Sequence, residues 1–171
     1  MSAENVRGAP EWQRGEAERL YEARATHLWS FGRRLGLSPG EADDAVHEAY
    51  TRLVGTIGRN WPMRPEAWLF TVVHNLAADI QRRARFTSMR ADVVDLAVDD
   101  GPGTHERLER LTVWAAVDRL PVRQRAAIYL RYRADLEFSV IADVLGISES
   151  GARGDCFRGL ASLRKKVLRD D

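Results

Sequence analysis

Apolar residues recur along this chain at intervals of three and four, the period of a helix with one buried face, and no stretch alternates convincingly with period two. An all-helical protein is expected. From about Glu16 to Leu35 one stripe is formed by Leu20, Leu28, Phe31 and Leu35, and Gly36 ends the helix. Ser38-Pro39-Gly40-Glu41 has the form of a capping box with proline at the first helical position. The helix it opens buries Ala42, Val46, Ala49, Tyr50, Leu53 and Ile57, leaving Asp43, Asp44, His47, Glu48 and Arg52 on or beside the solvent face. Gly58 to Pro65 is turn-rich and carries Trp61. Pro65-Glu66 then starts a third helix to about Arg85, with Leu69, Val72, Val73, Leu76 and Ile80 inward and Asn75, Asp79, Arg82, Arg83 and Arg85 off that stripe.

Periodicity fails from Thr87 to Thr104, where Asp92, Asp95, Asp99 and Asp100 accumulate and Gly101-Pro102-Gly103 breaks the backbone. A flexible acidic linker over residues 87–107 is expected, joining a helical domain at 16–86 to a second at 108–171, with a disordered arm at 1–15. In the second domain Leu108, Leu111, Val113, Trp114 and Val117 mark a helix to Arg119, and Pro121 starts another to about Arg133. Ile141, Ala142, Leu145, Gly146 and Ile147 then have helix-turn-helix spacing: a small residue lets two helices cross closely, and a glycine four residues later makes the turn. Ser148 caps the last helix, which turns Ala152, Cys156, Leu160, Leu163 and Val167 inward and Glu149, Arg153, Phe157 and Arg158 outward.

With 171 residues, 44% hydrophobic and 30% charged, the chain has the balance of a foldable soluble protein. The first fifteen residues hold no apolar stretch. The longest apolar run, Ala67 to Val73, is seven residues even counting Thr71, far short of the ~18 a membrane span needs. Neither secretion nor membrane insertion is expected, and the cytoplasm is the expected compartment. Cys156 has no partner for a disulfide, and His27, His47, His74 and His105 lack the paired spacing of a metal site. No metal or cofactor is expected. Nucleophile and general-base constellations are also absent, so a non-catalytic protein is expected.

The net charge of +1 hides a gradient. Residues 1–86 carry 12 basic and 11 acidic side chains, residues 87–119 carry 4 and 7, and residues 120–171 carry 10 and 7. Only Lys165 and Lys166 are lysine; the other 24 cations are arginine, which suits bidentate contacts to phosphate and guanine but equally reflects an arginine-biased genome. A helix-turn-helix lays its second helix in the major groove, where Arg153 and Arg158 are the candidates to meet DNA. Helical hairpins built on the same small residues also occur in proteins that never touch DNA. The basic run Arg164-Lys165-Lys166 is likewise explained by the negative end of the helix dipole alone.

The wider constellation is more specific. Leu120-Pro121, Arg125, Leu130-Arg131-Tyr132, Ile141-Ala142, Leu145-Gly146-Ile147-Ser148, Arg158 and Leu163-Arg164 together resemble region 4 of the extracytoplasmic-function (ECF) RNA polymerase sigma factors. Asp43-Asp44-Ala45-Val46-His47-Glu48-Ala49-Tyr50 resembles their region 2.2. Ala67-Trp68-Leu69-Phe70, Asn75-Leu76-Ala77 and Asp79 through Arg83 resemble regions 2.3 and 2.4. The resemblance spans about residues 17–86 and 108–168. It implies that Asp43, Asp44, His47, Glu48 and Arg52 meet the clamp helices of core RNA polymerase. It further implies that the third helix and the loop before it hold the promoter −10 element as single strand, through Trp61 or Phe70, His74, Asn75, Arg82, Arg83 and Arg85. The helix from Ser148 would read the −35 element as duplex, with Arg153, Asp155, Phe157 and Arg158 at its surface. The linker would thread the polymerase channel, and an anti-sigma factor is an expected partner.

Several residues keep a purely structural alternative at this stage. Trp61 serves packing or base contact equally well, Trp68 sits beside the core stripe, Asp79 pairs readily with Arg82 or Arg83 at helical spacing, and Cys156 reads as a small core residue. Departures from the family also matter. His74 stands where arginine is usual, which weakens one phosphate contact. Where the family reads G-T-V-K-S-R, this chain has Ser150-Gly151-Ala152-Arg153-Gly154-Asp155. The exchange of a cation for Asp155 should lower DNA affinity. Gly151, Gly154 and Gly159, at about 1 kcal/mol each, should leave the last helix marginal in the free protein and ordered by a partner. A dimeric helix-turn-helix repressor, or a sigma-like adaptor that no longer reads −35 DNA, remain alternative functions on these residues.

Overall fold

The computed structural model describes residues 10–86 and 113–167, and every regular element among them is helical. α1 spans Glu11–Arg34, α2 Pro39–Thr56 and α3 Pro65–Phe86. α4 is described over residues 113–118. α5 spans Val122–Tyr132, α6 Phe138–Leu145 and α7 Glu149–Val167. The expected acidic linker at 87–107 lies outside the described residues.

α1, α2 and α3 pack on one another around Leu28, Phe31, Leu37, Leu53, Leu69, Phe70 and Val73, all fully buried. Each such side chain contributes roughly 1.5–3 kcal/mol by leaving water. The link between α1 and α2 is tightly specified. Gly36 takes φ +96°, the left-handed conformation that glycine tolerates, and Ser38 and Glu41 close the capping box at 3.3 and 2.8 Å. The side-chain amide of Gln81 donates to the Leu35 carbonyl, tying α3 to the same corner.

α1 begins earlier than the periodicity implied, and residues 11–15 are helical rather than part of a disordered arm. The physical reason is tertiary. The Gln13 side chain is buried and accepts the Gly58 amide at 2.8 Å, while Trp12 meets Trp61 edge to face at 6.1 Å. Both partners lie in the loop after α2, so the first turn of α1 is ordered by contacts more than forty residues away. Residues 1–9 lie outside the described residues.

α5, α6 and α7 form the second unit, with Ala127, Leu130, Ile141 and Ala152 at its centre. The two units are not apart. α5 packs on α1 and α6 on α3, the Tyr129 hydroxyl donates to the His27 carbonyl at 2.9 Å, and the Tyr129 and Phe31 rings stack at 5.9 Å. Arg34, the largest fully buried side chain, lies 4.9 Å from the ring centres of both Trp114 and Tyr129.

Candidate nucleic-acid interface

Gly146 ends α6 in the left-handed conformation, at φ +64° and ψ +38°, and the chain turns directly into α7. Ser148 caps that helix, its Oγ accepting the Gly151 amide at 3.1 Å, as the sequence implied. Ala152 and Cys156 face inward. Ser148, Glu149, Arg153, Phe157 and Arg158 are exposed, and Phe157, at 75%, is an apolar ring standing in solvent on the helix that would enter a groove.

Arg153 is held in two ways. Its Nη2 bonds Glu149 Oε1 at 2.6 Å, and its guanidinium lies 4.7 Å from the centre of the Phe138 ring. Arg131 approaches the same ring at 5.3 Å. Phe138, at the first position of α6, thus supports two cations, a role its place in the sequence did not reveal.

Two expectations for α7 are corrected. Asp155 does not stand on the DNA-facing surface: it is 4% exposed, its Oδ1 bonded to Arg158 Nη2 at 2.6 Å and its Oδ2 ion-paired with Arg123 Nη2 at 2.9 Å. Leu160 is 40% exposed, because the inward stripe passes through Gly159 instead. A Cβ at Gly159 would lie 2.6 Å from Ile128 Cδ1 and 3.3 Å from Leu120 Cδ1, so a side chain there would require Ile128 to shift within the α5–α7 contact. α7 runs through all three glycines. The backbone cost at Gly159 is set against a close helix–helix contact that a larger residue would disturb. The side chain of Val167 falls outside the described ones.

On the first unit Asp43, Asp44, His47 and Arg52 are exposed and Glu48 is half-buried, along one side of α2. Arg52 pairs with Glu48 at 2.7 Å. On α3, Asn75, Arg82, Arg83 and Arg85 are exposed, and Arg82 is paired with Asp79 at 3.0 Å. Exposed pairs of this kind contribute about 0–1 kcal/mol and yield readily to another partner. Trp61 is partly buried against Trp12. Phe70 is removed from the candidates for stacking on a base: it is fully buried and meets Phe31 edge to face at 5.4 Å. His74 is half-buried, and that burial pulls its pKa below the usual 6.5, opposed in part by a hydrogen bond with Asn75. Burial thus favours the neutral imidazole over the cation in the free chain.

The model for Sigma-70 region 2 matches residues 20–87, and that for Sigma-70 region 4 matches residues 110–163. Over 93% of both chains the protein is 30% identical to the ECF RNA polymerase sigma factor SigL of Mycobacterium tuberculosis. The chain belongs to the ECF sigma factors. It is also 27% identical to the ECF sigma factor SigX of Bacillus subtilis, over 89% of this chain and 84% of that one. Among solved structures, its fold resembles the sigma factor RpoE of Bartonella quintana in complex with the anti-sigma factor NepR, with TM-score 0.67 and 19% identity over 90% of this chain and 98% of that one. It resembles CnrH in complex with the cytosolic domain of CnrY at TM-score 0.62 and 22% identity, over 92% and 91%.

In this sigma factor the region 2 match runs from within α1 through α3, and the region 4 match from α4 into α7. Arg123 is the basic residue the sequence reading missed at the surface of α7. The signal that finds it is Asp155 itself, since a carboxylate on an inward position of a helix needs a cation from a neighbouring element. No helix among the described residues is long and apolar enough to cross a membrane, and no group of His, Cys, Asp and Glu among them is arranged to hold a metal ion.

Proposed function

We propose that this sigma factor directs core RNA polymerase to specific promoters in the cytoplasm, as a dissociable factor that leaves the chemistry to the polymerase. The observation that carries the reading is the pairing, in one chain of this family, of an exposed, serine-capped groove-reading helix with a three-helix unit that bares an acidic face on α2 and a basic end on α3. Asp43, Asp44, His47, Glu48 and Arg52 would meet the polymerase clamp. Asn75, Arg82, Arg83 and Arg85, with Trp61 and His74 nearby, would hold the opened −10 strand, the amide reading a base edge and the guanidiniums tracking phosphates. Ser148, Arg153, Phe157 and Arg158 would face the −35 duplex, where an exposed ring like Phe157 suits a thymine methyl.

Elements about 25 base pairs apart lie about 85 Å apart at ~3.4 Å per pair. A compact chain of this length has a radius of gyration of only about 15 Å. Reading both elements therefore requires the α1–α5 and α3–α6 contacts to part, with the acidic segment at 87–107 spanning the gap. Sequestration by an anti-sigma factor, the kind of partner bound to the Bartonella quintana fold relative, is part of the same proposal.

Run-off transcription tests it: the chain is added to core polymerase from a related bacterium, with genomic DNA as template and transcript starts mapped. Discrete starts sharing upstream −10 and −35 elements are expected. Absence of starts above those of core alone, with polymerase binding demonstrated, would overturn the promoter reading.

A further inference from the structure

An aspartate on a groove-reading helix ought to repel DNA, yet Asp155 is turned inward and covered by two guanidiniums. Its oxygens are divided between helices, Oδ1 taking Arg158 Nη2 of α7 at 2.6 Å and Oδ2 facing Arg123 Nη2 of α5 at 2.9 Å. The carboxylate is 6% exposed, whereas the arginine side chains are 59% and 64% exposed. Each guanidinium carries five N–H donors in a fixed fork, and Asp155 engages only one edge of each. The remaining donors are left toward solvent, on side chains that a buried anchor has already restrained.

Gly154 leaves room for this arrangement. A Cβ there would stand 3.1 Å from Arg158 Nη1, 3.6 Å from Nη2 and 3.7 Å from Cζ. The Arg158 guanidinium thus lies back along α7 over the bare backbone of Gly154, toward the helix N-terminus, the end that enters the groove in this motif. A free arginine loses rotamer freedom when it is ordered on a ligand. One already held by a carboxylate loses less.

We infer that Asp155 is a positioning residue that holds Arg123 and Arg158 as a paired clamp for the DNA phosphate backbone beside the −35 groove. The inference rests on the proposed reading of α7 as the −35 helix. The trio keeps one net positive charge, so a phosphate meets attraction rather than the repulsion that an exposed aspartate would give.

The test uses holoenzyme reconstituted from core polymerase and the full chain, with fluorescence anisotropy on a promoter duplex taken from the run-off mapping and titrated with KCl. Arg123→Gln and Arg158→Gln should each weaken binding on the order of tenfold in 0.1 M salt and each reduce the slope of log K against log salt by about 0.9. Asp155→Asn decides the sign. Simple charge counting predicts tighter binding when the negative charge is removed; positioning predicts binding roughly three- to tenfold weaker, with a shallower salt slope. In the Arg123→Gln/Arg158→Gln background, Asp155→Asn should then have no further effect, and this comparison separates positioning from a general loosening of α7. Tighter binding by Asp155→Asn, or an equal loss in both backgrounds, would overturn the inference. Wild-type holoenzyme that initiates from discrete promoters while all three variants bind as it does would overturn the clamp and leave the sigma reading standing; failure of wild type to bind any promoter would remove the reading beneath it.

Discussion

Arg34, at the end of α1, and Asp118, at the end of α4, form an ion pair at 3.3 Å across the seam between the two units, with side-chain exposures of 1% and 10%. Arg34 also donates to the Ser30 carbonyl at 3.3 Å and is flanked by the Trp114 and Tyr129 rings. A charge so enclosed is tolerated only with its counter-ion, and removing one partner of a buried pair typically costs about 3–5 kcal/mol. Asp118→Asn is therefore expected to lower the denaturant midpoint sharply and to raise the radius of gyration measured by small-angle scattering. Replacing both partners, as Arg34→Met/Asp118→Leu, should recover much of the loss. A single variant as stable and compact as wild type would mean the pair does not hold the seam.

The glycines of α7 differ in kind, and alanine substitutions should separate them. Gly159→Ala would gain about 1 kcal/mol of helix propensity but force its methyl into Ile128, so net destabilisation of about 1–3 kcal/mol is expected. Adding Ile128→Val removes the obstructing Cδ1 and should restore part of it. At Gly154 a new Cβ meets only the far end of the Arg158 side chain, which can move away. Gly154→Ala is therefore expected to stabilise the fold while weakening DNA binding. Thermal unfolding of the three variants checks this, and equal shifts for Gly154→Ala and Gly159→Ala would contradict it.

The Cys156 thiol is pushed up to about 11 from its ordinary 9.0, by burial first and by the nearby Asp155 second. The unfolded chain thus loses its thiol proton before the folded one does. Stability from this group is complete below about pH 9 and declines as pH rises toward 11. Guanidinium titrations across that window should show a decline that Cys156→Ala flattens. Alkylation of the native protein at about pH 8 should be slow and should become fast in denaturant; rapid native labelling would show the thiol to be accessible.

The first turn of α1 belongs to the fold rather than to a dispensable arm. Deleting residues 1–15 is expected to lower the unfolding midpoint, because it removes both the Gln13 bond to the Gly58 amide and the Trp12–Trp61 contact. Gln13→Ala alone should cost about 0.5–1.5 kcal/mol by removing that hydrogen bond. Unchanged stability after the deletion would show these contacts to be without weight.

Helical class, the number and order of the main helices, the capping box at Ser38, the Ser148 cap and the glycine turn at 146 were all legible in the residue order, because each is set by interactions within a few positions of chain. So was the family, since two blocks of local pattern stand in the right order. The sequence did not determine which way Asp155 points, why Gly159 lies on the inward stripe, or where α1 begins, because the deciding atoms come from Arg123, Ile128 and Gly58 on other elements. Phe70 was ambiguous for the same reason: an aromatic on a helix face is core or contact surface according to what packs over it, and here Phe31 does. The association of the two units is the furthest from sequence. It depends on Arg34, Asp118, Phe31 and Tyr129 meeting across a long separation in the chain, and no local period or motif encodes a contact whose two halves lie on different helices.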